Sequence, residues 1–507
     1  MKPPAAEPAN QNLKNQAALS SIYMAVATIG VRLVSMLGMV FLARLLDPRD
    51  FGVVALAMLV FSTARLFTDL GMTSSVIYSR LGSDQVAFPA FVICMFTSLS
   101  FFTLVNVQPL LFANFLGNST ITPILHGLSL LIVLDGLSLV PEALLKKELK
   151  FGQISKAMLI SNAVDSVVAV FLALFGFGLW SLVYGKLAGA FTQLVVIWFT
   201  CPGWDWLTPR PWNWSVARDL LQYGLKSTGG GFMNFFNSNW DDWLVGRVLG
   251  STALGFYDKA YGLTRGILGG INTTVISAVL FPSLRKIQDD PERLSRAYIK
   301  GIAVSALIMA PLAMGTFAIA QELVPTLLGE KWIPMIPTLQ IFTLMALVRP
   351  MASTTSPLFR AVGRPEFDLR VGLVVTVTMV PLVFLWLPYG IEGVALAVTV
   401  SYICGFIYNI YQIHQLLPGT AHKVVPAILP AVVAGTAMIF GVFSAKQPLR
   451  HMMLGQPDFV FVSGLVMLGG IIYIGVAFLI RRALIMELLH LFAAVTVPRL
   501  STKRASS

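Results

Sequence analysis

Long apolar runs, broken at intervals by short clusters of polar residues, glycine and proline, recur along almost the whole chain. Each run is close to the ~20 residues an α-helix needs to cross a bilayer. The pattern predicts crossings at 19–45, 51–69, 87–112, 121–144, 154–176, 179–200, 224–249, 252–281, 297–320, 334–359, 367–388, 391–413, 424–445 and 459–480. That makes an all-α polytopic membrane protein of about fourteen transmembrane helices with short links.

Composition agrees with the pattern. Hydrophobic types make up 56% of the 507 residues and charged types only 12%, against about 25% in soluble domains. A water-soluble enzyme is excluded. Residues 1–18 form a polar tail without the basic, apolar and small-residue sections of a secretory signal, so the first apolar run is expected to remain as a helix. Lysine and arginine outnumber aspartate and glutamate 36 to 24, a net charge of +12. Topology absorbs most of that excess. With the N-terminus inside, 22 of the 36 basic residues fall on inner segments and 6 on outer loops, which orients both termini to the cytoplasm and makes nucleic acid an unneeded partner. Cys94, Cys201 and Cys404 show neither disulfide nor metal spacing, and no cofactor or metal is indicated.

An internal repeat emerges from the turns. Ala43-Arg44-Leu45-Leu46 with Phe51-Gly52 returns 203 residues later as Gly246-Arg247-Val248-Leu249 with Leu254-Gly255. Pro141 and Phe151 match Pro357 and Phe367 at an offset of 216, and Gly178-Leu179-Trp180-Ser181 matches Gly390-Ile391-Glu392-Gly393 at 212. The expected organisation is an N-lobe at 19–200, a linker at 201–223 and a C-lobe at 224–413. A final helix pair at 424–480 and a basic amphipathic tail at 481–507 complete it. Transporters built from such repeats bind substrate between them.

Charged residues inside crossings are costly and usually face a cavity or bundle interior. They concentrate in the first two helices of each repeat: Arg32, Arg65, Asp69, Lys226, Asp241, Asp242, Asp258, Lys259 and Arg265. Arg32, Arg65, Lys259 and Arg265 are candidates to hold a diphosphate through charge-assisted hydrogen bonds. Internal salt bridging, for example of Asp258 or Asp241 with Lys259, is the alternative. In the seventh crossing Asn234, Asn237, Ser238 and Asp241 share a helical face with Trp240 and three phenylalanines interleaved, a combination suited to sugar hydroxyls and C–H faces. Hydrogen bonds to neighbouring helices would equally account for these polar residues. Asp241 and Asp258 could couple an ion. Asp135, Asp165 and Lys186 are expected to form a packing network.

The run from Phe41 to Gly52, Asp69-Leu70-Gly71, Phe281-Pro282-Ser283-Leu284 and Leu328-Gly329-Glu330-Lys331-Trp332 resemble the polysaccharide-transporter branch of the multidrug/oligosaccharidyl-lipid/polysaccharide exporter superfamily, over about residues 15–480. The resemblance implies two six-helix lobes around a central cavity. It further implies flipping of undecaprenyl-diphosphate-linked oligosaccharide across a bacterial inner membrane by a monomer, with a polysaccharide polymerase and chain-length regulator as partners. Among related lipid II flippases, arginines on helices 1, 2 and 8 are thought to hold the diphosphate. Arg32 and the Arg65-Leu66-Phe67 stretch correspond to the first two, whereas Tyr257-Asp258-Lys259 offers lysine where that family has arginine, which removes bidentate geometry. The charge-free groove of helices 13 and 14 would suit a polyprenyl tail. Two other functions fit less well. A membrane polymerase or glycosyltransferase would want a larger external loop, and a cation-coupled multidrug exporter would want fewer cations.

Overall fold

A computed structural model describes residues 30–31, 33–79, 81–201, 203–208, 213–264, 284–285, 287–364, 366–453 and 455–496, without the side chains of 226, 227, 229–231, 234 and 483–496. Among these residues the secondary structure is helical. In chain order the helices are α1 (Leu33–Leu45), α2 (Pro48–Asp69), α3 (Met72–Tyr78), α4 (Ser83–Val107), α5 (Pro109–Leu116), α6 (Thr122–Lys147), α7 (Phe151–Leu174), α8 (Trp180–Thr200), α9 (Trp214–Leu244) and α10 (Ser251–Leu263). They continue with α11 (Pro291–Leu328), α12 (Ile336–Ser353), α13 (Thr355–Ala361), α14 (Glu366–Trp386), α15 (Gly390–Leu416), α16 (Ala421–Met452) and α17 (Asp458–Thr496).

Among the described residues ten helical runs are long and apolar enough to cross a membrane, one of them the 51-residue stretch Glu366–Leu416 that holds α14 and α15. The chain is a multi-pass membrane protein.

Local chemistry sets the helix ends. Pro48 opens α2, and the Asp50 carboxylate accepts from the Asp47 backbone N–H at 3.1 Å. Several ends differ from expectation, as where α11 spans Pro291–Leu328 against the expected 297–320, and two of them have a visible local cause. α9 starts at Trp214, ahead of the expected 224, because Asn213 caps it by accepting from the Ser215 N–H at 3.0 Å. α16 runs to Met452 rather than 445: Lys446, expected in a loop, is mostly buried and pairs with Glu322 of α11 at 2.9 Å, so its charge does not end the helix.

The core is distributed unevenly along the bundle. At the end carrying Asp47, one continuous core joins early and late helices, from Leu46, Leu56 and Leu125 to Tyr257, Trp332 and Val394. At the opposite end, carrying Lys146, it separates. Met72, Val86 and Leu144 belong to one cluster and Tyr298, Phe359 and Ile413 to another.

Candidate functional site

Repeat-related residues build the seal at the Asp47 end. α2 and α10 cross so closely that a Cβ on Gly52 would stand 1.7 Å from the Ser251 carbonyl oxygen, and one on Gly255 would stand 1.9 Å from the Pro48 carbonyl oxygen. These glycines are the pair that the 203-residue repeat aligned. Around them Lys331 donates to the carbonyls of Arg44 (3.2 Å) and Leu46 and stands 3.6 Å from Asp47. The Trp332 indole N–H donates to the Ala43 carbonyl at 2.9 Å, and its ring meets Phe51 and Phe256 edge-on. Arg44 closes the ring through the carbonyls of Thr326 and Leu327.

Toward the other end lies a polar cavity of about 430 Å³. Arg65 reaches it from α2 with Ser62 and Asp69, and Glu142 and Lys146 from α6. Arg65 Nε stands 3.2 Å from Asp135 Oδ2, near enough for an ion pair but not aligned for a hydrogen bond, and the Arg65 side chain is 52% exposed. Lys146 pairs with Glu142 at 2.7 Å. The Asp69 carboxylate accepts from the backbone and hydroxyl of Thr73 at 3.0 and 2.7 Å, which fixes the turn into α3. The cavity's cations are thus held beside acids, Arg65 by Asp135 and Lys146 by Glu142.

A second, largely apolar cavity of about 480 Å³ adjoins it, lined by Leu59, Phe101, Phe112, Phe236, Trp240 and Trp243 among others. Phe235 borders both cavities. One face of α2 therefore passes from Leu59 and Thr63 beside rings to Ser62 and Arg65 beside charges, within two turns.

The other expected site residues fall in several places. Arg32 and Arg265 lie outside the described residues, as does the Asn234 side chain. Asn237 bonds to α14, donating to the Gly372 carbonyl at 3.2 Å and accepting from Thr376 at 2.6 Å, in line with the neighbouring-helix alternative. Trp240 lines the apolar cavity, stacked on Phe236 at 5.8 Å. Lys259 is held by Asp258 at 2.9 Å and sits 4.5 Å over the Phe51 ring in the α2–α10 seam. Asp241 is buried: its Oδ2 accepts from Tyr257 at 2.7 Å while Oδ1 has no hydrogen-bond partner. Beyond it, Arg349 donates to Tyr261 at 2.6 Å and stacks 4.8 Å over Tyr402.

Asp135 departs from the packing network expected of it. Asp165 and Lys186 do pair with each other across α7 and α8, but Asp135 faces α2 instead. Glu142 and Lys146 were not anticipated at the cavity. Their signal was present in the sequence, since Asp135, Leu139, Glu142 and Lys146 follow one another at helical spacing along α6. Among the described residues no three His, Cys, Asp or Glu side chains converge as metal ligands.

Residues 41–337 match a family described as polysaccharide biosynthesis protein. The chain belongs to that family. The chain is 25% identical to the lipopolysaccharide biosynthesis protein WzxC of Escherichia coli, over 78% of the chain and 79% of that relative. It is 27% identical to the succinoglycan biosynthesis transport protein ExoT of Rhizobium meliloti, over 68% of each. Its fold is shared with the lipid II flippase MurJ in an inward closed conformation, with a TM-score of 0.74 over 92% of this chain and 100% of that one at 18% identity.

Proposed function

We propose that the chain is a flippase that carries undecaprenyl-diphosphate-linked oligosaccharide from the cytoplasmic to the periplasmic leaflet of a bacterial inner membrane, supplying exopolysaccharide, capsule or lipopolysaccharide synthesis. The observation that carries this reading is the pair of adjoining cavities sharing Phe235, one charged and one aromatic, beneath a sealed end. A lipid-linked sugar diphosphate needs both environments at once, because its headgroup demands hydrogen bonds while its isoprenyl and ring C–H surfaces gain from apolar contact. The family supports it too, since one relative is named as a transport protein for succinoglycan biosynthesis.

In this reading Arg65, with Lys146 beside it, takes the diphosphate from Asp135 and Glu142. Arg32 and Arg265 are assigned to the same path from the sequence, and Lys259 joins them once the α2–α10 seam parts. Asn234, Asn237 and Trp240 line the way for the sugar. Of the two carboxylates considered for ion coupling, Asp241 is the better placed, because its Oδ1 is unpartnered whereas Asp258 is bound to Lys259. The Asp47 end is periplasmic, both termini are cytoplasmic, and the protein works as a monomer alongside a polymerase and chain-length regulator. It transports without chemical conversion of the substrate.

The test is translocation in proteoliposomes of a fluorescent polyprenyl-diphosphate oligosaccharide, scored by exposure to an external glycosidase. Exposure that depends on the protein and falls about tenfold or more in Arg65→Ala supports the flippase. Glycan lengthening without exposure would move the function to a polymerase. Equal exposure with Arg65→Ala would remove the headgroup assignment.

A further inference from the structure

Two arginines at repeat-related positions cross between the lobes at the Asp47 end, and each serves the same kind of partner. Arg44, at the end of α1, donates to the carbonyls of Thr326 and, at 3.0 Å, Leu327 in the last turn of α11. Arg247, 203 residues later, donates at 2.7 Å to each of the carbonyls of Asn114 and Phe115 in the last turn of α5. Those two residues precede Thr326 and Leu327 by 212, and both pairs run on into Leu-Gly. The arrangement is a pseudo-twofold pair of clamps. Carbonyls in the last turn of a helix lack donors within it and lie at its negative pole, so the fork of an arginine from the opposite lobe suits them.

The clamps are unequal. At the first, bonds run in both directions, because Lys331 and the fully buried Trp332 reach back to the carbonyls that end α1. At the second, the positions 212 residues before Lys331 and Trp332 hold Ser119 and Thr120. Their side chains are too short for that reach, and Thr120 bonds within its own turn, to Asn118 at 2.6 Å. The second seam is held by Arg247 and by Trp243 of α9, whose indole N–H donates to the Phe115 carbonyl at 3.3 Å and whose ring stacks on Phe115 at 5.2 Å. Arg247 is exposed and stands in a π-helical turn, Val245–Leu249, a conformation that concentrates at functional sites. Exposed hydrogen bonds exchange with water at small net cost, so this seam parts more readily than one closed over a buried indole. α5 also borders both the aromatic cavity and the surface: Leu111 and Phe115 line that cavity while being 57% and 58% exposed.

We infer that the Asp47 end parts asymmetrically, the α5–α9 seam first, and that this seam is a side door through which a polyprenyl chain passes between the aromatic cavity and the bilayer. The occupant rests on the flippase reading, whereas the order of opening follows from the unequal clamps alone. A lipid-facing door keeps an apolar chain among rings and hydrocarbon throughout, where a gap facing only water would expose it.

The experiment uses the full-length protein in nanodiscs, with Cys94, Cys201 and Cys404 replaced by alanine and spin labels on exposed sites. Leu110→Cys/Val248→Cys spans the α5–α9 seam and Leu45→Cys/Glu330→Cys spans the α1–α11 seam, with each spacing read by electron paramagnetic resonance. Arg247→Gln should lengthen the first spacing by about 5 Å or more, the scale of a one-turn helix shift, and leave the second as in the parent. Arg44→Gln, with Lys331 and Trp332 still in place, should leave both spacings near the parent's. An unchanged first spacing in an Arg247→Gln protein that elutes as the parent does, or a change at the α1–α11 seam alone, overturns the proposal. The chain is followed with a polyprenyl diphosphate carrying a diazirine near its middle. Photolabel on α5 and α9 that rises in Arg247→Gln supports the door, and photolabel confined to α16 and α17 overturns it. Headgroup translocation is scored separately: its failure beside a widened, labelled seam would withdraw the flippase reading and keep the door.

Discussion

Arg65 carries two demands that pull in opposite directions. In the proposed headgroup role it must stay charged and oriented before substrate arrives, which Asp135 provides at 3.2 Å, and it must give up that partner when a phosphate enters. Its 52% exposure leaves solvent to screen the pair, so the exchange costs far less than breaking a buried ion pair would. Arg65→Lys keeps the charge but loses the planar fork, and is expected to retain a reduced rate where Arg65→Ala retains almost none. Asp135→Asn has the opposite effect: with the competitor neutralised, lipid-diphosphate binding should tighten while turnover falls, because release slows. Binding measured beside translocation in the same preparation separates the two, and weaker binding in Asp135→Asn would show that the carboxylate positions Arg65 rather than competes for it.

At the scale of elements, the α2–α10 crossing depends on two glycines. Overpacking of a tight contact typically costs about 1–3 kcal/mol, and a methyl at Gly52 would meet backbone at 1.7 Å rather than a side chain able to swing aside. Gly52→Ala and Gly255→Ala should therefore disfavour this sealed arrangement. Ala43→Cys, at a position fully buried in the seal, should react faster with a membrane-impermeant maleimide in either background than in the parent; an equal rate would show that the seam yields without opening. The same crossing shows what could be read from the chain. Hydropathy located most of the spans, and the repeat aligned Gly52 with Gly255, because both signals are local. That the aligned glycines touch each other, that Asp135 turns toward α2, and that Lys446 finds Glu322 depend on how helices pack, which periodicity does not encode. The α6 stripe from Asp135 to Lys146 lies between these cases: its spacing was visible, and only the tertiary arrangement showed that it faced Arg65.

For the whole molecule, the distribution of the core defines the state. A single apolar cluster binds early and late helices together at the Asp47 end, and separate clusters serve them at the Lys146 end. Alternating access requires the first of these to part, and the residues that hold it are those of the Leu328–Trp332 and Phe41–Gly52 motifs. Their contacts are of two kinds. Trp332 is fully buried, and truncating such a ring typically costs about 3–5 kcal/mol, so Trp332→Ala should lower the melting temperature as well as loosen the seal. Lys331 is only partly buried and bonds to carbonyls that water can satisfy once the seal opens. Lys331→Gln should then leave thermal stability nearly unchanged and shift the population toward the open form, read as faster labelling of a cysteine at the buried Ala43 position. A melting temperature that falls as far in Lys331→Gln as in Trp332→Ala would mean that the lysine is part of the fold's core and not a latch on it.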